Sequence, residues 1–423
     1  MLYSLYSSRR ALTAQSLVLS VLALLALSHA AVLNQTLAQN GDGPFKYYRI
    51  TSLASLGNGI VLASFDGRPD GADAPSPNSI LQRRSTDNGE SWGSLTYIAQ
   101  GRPGSEGVQK YGFSDPSYVI DSGRETVFNL HVFSKDQGFS GSVLGNNDTD
   151  VDVLSAEVSV STDAGLSWTT DPDNQPDLPP VASGKEGAPP LITTAIKPVG
   201  ATVDGVDNVG GVLGAFATSG QGIQLKYGKY AGRLVQPFVG SVVQRDGSTA
   251  SQAYSVYSDD SGSTWQMGTP VGTGMDENKV VELSNGTLML NSRSSDGSGY
   301  RKVALSNDGG ETYSTPRVET QLPDPGCNGA ITQMYPDAEE GSDLARILLF
   351  TNANSQESRV NGTVRYSCDD GNTWSAGKVF SPGATSYSTV TALDNDMFGI
   401  FYEALDNELV LLRVDANWLG VSC

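Results

Sequence analysis

The sequence STDNGESW, residues 85–92, decides the fold because the chain repeats its pattern. The pattern is Ser-x-Asp-x-Gly-x-Ser/Thr-aromatic, and it occurs at residues 85–92, 161–168, 258–265, 306–313 and 367–374. We call these segments the Asp boxes. Four of the five Trp residues in the chain lie in them, which chance placement does not explain. A short unit repeated along a chain predicts a repeat architecture.

Each Asp box follows a β-rich run and predicts a tight turn between two strands. The Asp side chain bonds nearby backbone N–H groups, Gly takes a positive φ angle, and the aromatic ring packs back on the sheet. The boxes begin at residues 85, 161, 258, 306 and 367, so a constant unit carries insertions of variable length. The Gly- and Pro-rich stretch from residue 171 to 211 is one expected insertion.

Short strands between turns continue to the end of the chain, and few segments have the periodicity of a long amphipathic helix. Four-stranded units repeated around an axis form a β-propeller. About 390 mature residues at about 65 residues per blade predict an all-β, six-bladed propeller. A solenoid or several sandwiches is the less favoured alternative.

Composition and charge exclude several classes of function. The net charge of −19 argues against nucleic acid or an anionic membrane surface as the main partner. The chain has two His and three Cys without CxxC spacing, so we expect no metal site and no cofactor. A Ser-His-Asp hydrolase would need His131, which lies mid-strand in TVFNLHVFS (126–134) and is more typical of a structural residue. The chemistry is therefore expected to rest on carboxylates, Arg, Lys or Tyr.

Residues 1–30 have the pattern of a signal peptide, and residues 31–423 are the expected mature propeller domain. Arg9 and Arg10 precede an apolar run that is shorter than the roughly 20 residues of a spanning helix. A signal anchor and a twin-arginine signal are less favoured alternatives. We expect a secreted, extracellular protein without membrane insertion. In such a compartment we expect one disulfide, between Cys368 and Cys423, and a free thiol at Cys327.

Charged residues on strands give the first candidate site. The stretch from Lys46 to Pro75 predicts two strands around a Gly-Asn-Gly turn, with Arg49 on the first strand and an acidic loop after the second. Arg293 ends a second β-rich run, and Arg365 lies in a third. If these arginines from three blades converge at the propeller axis, they form an anion pocket, because a guanidinium group suits a carboxylate.

Several longer stretches resemble the secreted exo-sialidases (neuraminidases) of glycoside hydrolase family 33, of the actinobacterial and fungal type. They cover the mature chain nearly end to end, and they are YRITSL at 48–53, SFDGRPDGADAPSPNSILQRRSTDNGESWG at 64–93, GFSDPSYV at 112–119, GMDENKVVELSNG at 274–286, NSR at 291–293, SGYRKVALSNDGG at 298–310, and TVRYSCDDGNTW with SYSTVTAL at 363–393. The resemblance implies a six-bladed propeller with Asp-box (BNR) repeats. Thr51 departs from it, since the family's Arg-Ile-Pro motif has Pro there, and so does Cys327, in a loop where relatives often have a polar residue.

The resemblance also implies a role for each site residue. Asp73 would be the general acid/base, Tyr387 the nucleophile, and Glu277 its general base. The substrate carboxylate would be held by Arg49, Arg293 and Arg365. Arg68 and Asp115 would contact the sugar ring substituents, and Val132, Phe139 and Asn328 would line an N-acyl pocket.

The implied activity is the hydrolysis of terminal sialic acids from glycoproteins, glycolipids or oligosaccharides, with retention of configuration. A phenol nucleophile suits this substrate, because an anion would be repelled by the carboxylate on the anomeric carbon. The alternatives are a preference for the deaminated sialic acid KDN, trans-sialidase activity, or an inactive sialoglycan-binding propeller. Intact Asp73, Glu277 and Tyr387 argue against the last of these.

Overall fold

Six sheets around one axis form the protein, and the computed structural model describes residues 32–169 and 191–423. The strands, in chain order, are β1 (Val32–Ala38), β2 (Tyr47–Gly57), β3 (Ile60–Arg68), β4 (Ser79–Ser85), β5 (Thr96–Ala99), β6 (Gly112–Asp121), β7 (Thr126–Ser134), β8 (Ser155–Ser161), β9 (Ala201–Val203), β10 (Val206–Val209), β11 (Val212–Ala217), β12 (Gly220–Gln221), β13 (Ile223–Gln224), β14 (Leu234–Val243), β15 (Thr249–Ser258), β16 (Gln266–Met267), β17 (Met275–Glu282), β18 (Leu288–Ser294), β19 (Tyr300–Ser306), β20 (Arg317–Pro323), β21 (Ala330–Gln333), β22 (Leu348–Ala353), β23 (Val360–Ser367), β24 (Lys378–Ala384), β25 (Ser388–Ala392), β26 (Met397–Glu403) and β27 (Leu409–Asp415). Helical segments in the described ranges are short: the α-helices α1 (Thr193–Ile196) and α2 (Ala416–Leu419), and 3₁₀ turns at Gly228–Tyr230, Leu344–Arg346 and Leu405–Asn407.

The sheets are the blades of a propeller, which confirms the predicted fold. Blade I is β2–β5, blade II is β6–β8 with β12, and blade III is β11 with β13–β16. Blades IV and V are β17–β20 and β21–β24, and blade VI is β25–β27 with β1. Because β1 pairs antiparallel with β27, the first described strand closes the ring against the last.

Apolar side chains between neighbouring blades hold the ring together. At the junction of blades VI and I, for example, Leu53 and Phe65 are buried together with Phe401 and Leu411. Such burial contributes roughly 25 cal/mol per Å² of apolar surface removed from water. Each blade therefore depends on both neighbours, and the ring leaves only its axis open to groups from all six blades.

The Asp boxes form the predicted turns. In the first box, the backbone N–H of Ser91 donates to Asp87 Oδ1 at 2.8 Å, and that of Gly89 donates to Ser85 Oγ at 2.9 Å. Gly89 has a φ of +81°, the left-handed region that glycine adopts without strain. The same two bonds recur in the other four boxes. Each box follows the third strand of its blade, and no candidate site residue belongs to one.

The proposed signal peptide, residues 1–30, lies outside the described residues. The expected insertion at 171–211 is described only from residue 191, where α1 packs between blades II and III through the buried Ile196, and the β9–β10 hairpin forms a separate two-stranded sheet. The predicted disulfide between Cys368 and Cys423 is confirmed, and Cys327 is a buried free thiol. Within residues 32–169 and 191–423, no helix has the length and apolar character needed to cross a bilayer.

The up-and-down course of each blade fixes which residues can reach the axis together. The first and third strands of a blade run in one direction and the second runs back. The starts of the first and third strands and the end of the second therefore lie at one mouth of the axis, which we call the upper mouth. A cavity of about 740 Å³ opens at the opposite mouth, where Leu56, Ile120 and Leu393 are among its lining residues. No candidate site residue lines that cavity.

Candidate active site

Polar side chains from several blades meet at the upper mouth. Arg49, Asp115 and Glu277 lie near the starts of the inner strands β2, β6 and β17, and Asn328 and Tyr387 come just before β21 and β25. Residues up to 338 positions apart in the sequence therefore make side-chain contacts here. Three of these inner strands also have an irregular register at the site, between Arg49 and Ser52, Ser114 and Ser117, and Met275 and Asn278. Such bulges turn side chains out of the regular alternation of a strand.

Tyr387 and Glu277 share one arginine. Arg293 Nη1 lies 2.6 Å from Glu277 Oε2 and donates to Tyr387 Oη at 3.2 Å. Burial raises the pKa of the Tyr387 phenol well above its usual range, and Glu277 raises it further, whereas Arg293 and Arg49 oppose the shift. The free phenol is therefore neutral, with a cation at its oxygen and a carboxylate nearby that can take its proton.

Arg49 is fixed by Glu403, a buried residue at the end of β26. Arg49 Nη2 donates to Glu403 Oε2 at 3.2 Å, and the backbone N–H of Ile50 donates to Oε1 at 2.7 Å. Ile50 has a φ of +65°, a strained conformation for a β-branched residue, and the Glu403 bond holds it there. Burial raises the pKa of Glu403, but Arg49 and the Ile50 amide outweigh burial and leave it below its usual value. The Arg49 guanidinium consequently lies 5.2 Å from the Tyr387 ring centre.

The third arginine at Tyr387 is Arg359, and the expectation for Arg365 is corrected. Arg359 lies 5.5 Å from the Tyr387 ring centre, and its Nη1 donates to Ser386 Oγ at 3.1 Å. Arg365 instead donates to Asn354 at 2.9 Å and packs on the outer part of blade V. The physical reason is strand direction: Arg359 precedes the start of β23 at the upper mouth, whereas Arg365 lies six residues further, about 20 Å along an extended strand.

Arg68 joins Asp73 to a buried carboxylate. Its Nη1 donates to Asp73 Oδ1 at 2.5 Å, while Nε and Nη2 donate to Asp66 Oδ2 at 3.1 and 2.8 Å. Arg68 is 1% exposed, whereas the Asp73 side chain is 79% exposed at the edge of the site. Desolvation raises the pKa of Asp73, but Arg68, Arg49 and Arg359 outweigh it and leave the pKa below its usual value. Asp73 in the free protein is therefore ionised and held by Arg68.

Two further carboxyls lie behind this pair. Asp66 Oδ1 accepts the backbone N–H of Asp115 at 3.1 Å, and Asp115 has a φ of +63°. Burial raises the pKa of Asp66 to about 6, although Arg68 opposes the shift. Burial, Asp66 and Glu277 raise the pKa of Asp115 well above its usual range, so this carboxyl keeps its proton more readily than an exposed aspartate does.

The expected N-acyl residues lie on blade II and at the start of blade V. Val132 is buried on β7 opposite Ser114, and Phe139 packs edge-on against Phe216 at 5.2 Å. The backbone at Gly138 closely approaches the Ala74 carbonyl, which sets Phe139 beside the loop that carries Asp73. Asn328 is 1% exposed, and its Nδ2 donates to Ser219 Oγ at 2.8 Å.

Sequence reasoning missed Arg359 and Glu403. A signal for both was available in the strand directions, because Arg359 precedes a third strand and Glu403 ends a second strand. His131 is confirmed as structural, being fully buried on β7 and stacked on Phe113 at 5.3 Å. In the described ranges no group of His, Cys, Asp or Glu is arranged to hold a metal ion.

Comparisons with known proteins agree with this fold. A family model described as a BNR repeat-like domain matches residues 215–400. The sialidase of Micromonospora viridifaciens is 47% identical over 389 residues, which cover 92% of this chain and 54% of that protein. The structure of the Hadza microbial sialidase Hz136 matches with a TM-score of 0.74 at 23% identity, over 92% of this chain and 69% of that chain. The intramolecular trans-sialidase from Ruminococcus gnavus matches with a TM-score of 0.68 at 20% identity, over 90% of this chain and 96% of that chain.

The blades, the Asp boxes and the arginine-rich axial site define a six-bladed β-propeller of the Asp-box (BNR) type. Over 92% of its length the chain is similar to a sialidase, which supports a protein of the glycoside hydrolase family 33 type. It spans about half the length of its Micromonospora relative.

Proposed function

We propose that this chain is an exo-α-sialidase that removes terminal sialic acids from glycoproteins, glycolipids or oligosaccharides with retention of configuration. One observation carries the proposal: guanidinium groups of Arg49, Arg293 and Arg359, from three blades, surround a single buried phenol. A pocket with three cations around a neutral nucleophile suits a sugar whose anomeric carbon carries a carboxylate. A lectin would need the cations but not the acid and base beside them.

The three arginines hold the substrate carboxylate and orient the ring. Arg293 is anchored by two acids, with Nε 3.5 Å from Asp276 Oδ2 and Nη1 2.6 Å from Glu277 Oε2, so its guanidinium is held in place before a ligand binds. Because Arg49 is itself fixed by Glu403, its guanidinium needs little reordering when substrate binds. The local cations also offset the net charge of −19, which repels an anionic glycan.

Tyr387 attacks the anomeric carbon as its proton passes to Glu277. Arg293 stabilises the negative charge that develops on the phenol oxygen, since it already donates to that atom. The glycosidic C–O bond breaks while Asp73 protonates the leaving oxygen. In the second half, Asp73 takes a proton from water, the water oxygen replaces the phenol oxygen, and Glu277 returns the proton to Tyr387. Two displacements give overall retention.

Asp73 must acquire a proton before it can act as an acid. In the free protein Arg68 favours its ionised form, so binding of a sugar substituent by Arg68 would release the carboxyl for protonation. Asp115 would contact the same part of the ring, and Val132, Phe139 and Asn328 would line the N-acyl pocket. Export through a signal peptide at residues 1–30 remains part of the proposal, and the Cys368–Cys423 disulfide fits an oxidising compartment.

The test is release of the aryl group from an aryl α-sialoside and from its KDN counterpart, by the wild type and by Tyr387→Phe. We expect release by the wild type, retention of configuration in the first-formed sugar, and loss of turnover in the variant. An inactive wild type on both substrates refutes the hydrolase. Equal rates for Tyr387→Phe refute the nucleophile, and the ratio of the two substrates reports the choice between N-acyl and deaminated sugar.

A further inference from the structure

A buried lysine lies directly beneath the proposed base. Lys279 follows Glu277 by two residues on β17, and both side chains contact Ser219. It is 2% exposed, and its Nζ donates to the backbone carbonyl of Ser219. Gly220 makes room for it, because a Cβ there would lie 3.2 Å from Nζ. The proposed reaction gives this ammonium group no role.

Ser219 connects the lysine to the base. Its Oγ donates to Glu277 Oε1 over a long contact of 3.5 Å and accepts from Asn328 Nδ2 at 2.8 Å. Glu277 Oε2 is held on its other side by Arg293 at 2.6 Å. The carboxylate is thus fixed from above by the residue that contacts Tyr387 and from below by a serine whose own peptide is held by Lys279.

Lys279 also contributes charge to a crowded set of titratable groups. Around Glu277 these are Arg293, Asp276, Asp115, Tyr387 and Cys327. Arg301 faces Lys279 as well. Burial lowers the pKa of Lys279 to about 7 and Arg301 lowers it further, while Glu277 and Asp115 act in the opposite direction. A buried ammonium group is costly without a counter-charge, and Glu277 is the acid with the largest effect on it.

We propose that Lys279 is a positioning residue for the reaction: its Nζ holds the Ser219 peptide, through Ser219 it holds Glu277 at Tyr387, and it supplies a buried positive charge close to that carboxylate. Lys279 does not contact the substrate. The inference rests on the proposed function, because Lys279 has a part in the reaction only if Glu277 accepts the proton of Tyr387.

The experiment measures kcat/KM against pH with an activated aryl α-sialoside for wild type, Lys279→Met and Ser219→Ala. In Lys279→Met the carboxylate loses a nearby positive charge. The acid limb of the profile should therefore move to higher pH by about one to two units, for a unit charge about 7 Å away at an effective dielectric constant of about 20. Ser219→Ala keeps the charge and should lower kcat/KM about two- to tenfold with the limb in place.

Lys197→Met is the matched control. Lys197 is also a buried lysine, 1% exposed, but it follows α1 and lies against blade II, where it donates to Ser142 Oγ at 3.1 Å and to the Leu154 carbonyl. This variant should lower the melting temperature and leave the acid limb where it is. If Lys279→Met does not fold, Lys279→Gln takes its place, because it removes the charge and keeps a donor for the Ser219 carbonyl.

Each outcome decides the inference. A Lys279 variant whose profile superimposes on that of the wild type overturns it, and so does an equal shift in Lys197→Met. Full kcat/KM in Ser219→Ala overturns the link through the serine. An inactive wild type refutes the proposed function instead, so the two failures are distinguishable.

Discussion

Exchanging one arginine at a time tests the composition of the anion pocket most sharply. Arg359 and Arg365 lie six residues apart in one blade, and both are largely enclosed, yet only Arg359 lies beside Tyr387. Arg359→Met and Arg365→Met make the same chemical change at the two positions. Comparing the two variants shows whether activity depends on contact with Tyr387 or only on the presence of an arginine in this part of blade V.

The structure sets the expected magnitudes. Loss of one charge-assisted hydrogen bond to the substrate carboxylate costs about 1.5–3 kcal/mol, so Arg359→Met should lower kcat/KM about 10- to 150-fold. Arg365→Met should stay within about twofold of the wild type, because distant sites act independently. Its Nη1 is buried without a hydrogen-bond partner in the described ranges, so removal of this cation should also leave the melting temperature equal or higher.

The assay is hydrolysis of an aryl α-sialoside at several substrate concentrations, with thermal melts to show that both variants fold. The loss in Arg359→Met should appear mainly in KM for the sialoside, since the guanidinium binds the carboxylate in the ground state as well as in the transition state. A loss of more than about tenfold in Arg365→Met, with near wild-type kcat/KM in Arg359→Met, would refute the reasoning from strand direction.

Three further predictions concern stability and reactivity. Burial lowers the pKa of His131 to about 3. Below about pH 6.5 the unfolded chain therefore binds a proton at this residue that the folded chain does not bind. Stability should fall as the pH drops from 6.5 towards 3, and melts of His131→Phe should show a shallower fall. Burial raises the pKa of the Cys327 thiol to about 11, so Ellman's reagent at pH 8 should react only after unfolding; reaction of the native protein would contradict this. Cys368→Ser opens a disulfide between residues 55 apart, and should lower the free energy of unfolding in denaturant titrations by about 4 kcal/mol. An unchanged value would show that the bond contributes little.

The nature of the site explains why Asp73 and Tyr387 were found in the sequence and Glu403 was not. Asp73 and Tyr387 belong to stretches that resemble the family over many consecutive residues. Glu403 stands at the end of an apolar strand, where its contacts with Arg49 and Ile50 span more than 350 residues of sequence. A carboxylate that acts by holding another side chain has no local pattern to mark it.

The sequence by itself determined the blades, their turns and the chemical types in the site. This information is local: an Asp box closes its own turn through bonds within eight residues, and alternating strands follow from side-chain pattern. The sequence also predicted the disulfide and the structural role of the buried His131.

Only the tertiary structure decided which arginine completes the pocket. In the sequence Arg359 and Arg365 look equivalent, because both lie in one β-rich run. Each could belong to a strand that reaches the axis. Closure of the ring places the start of β23 at the upper mouth and the far part of the strand away from it. Convergence depends on the direction of every strand relative to one axis, and that relation exists only once all six blades have packed together.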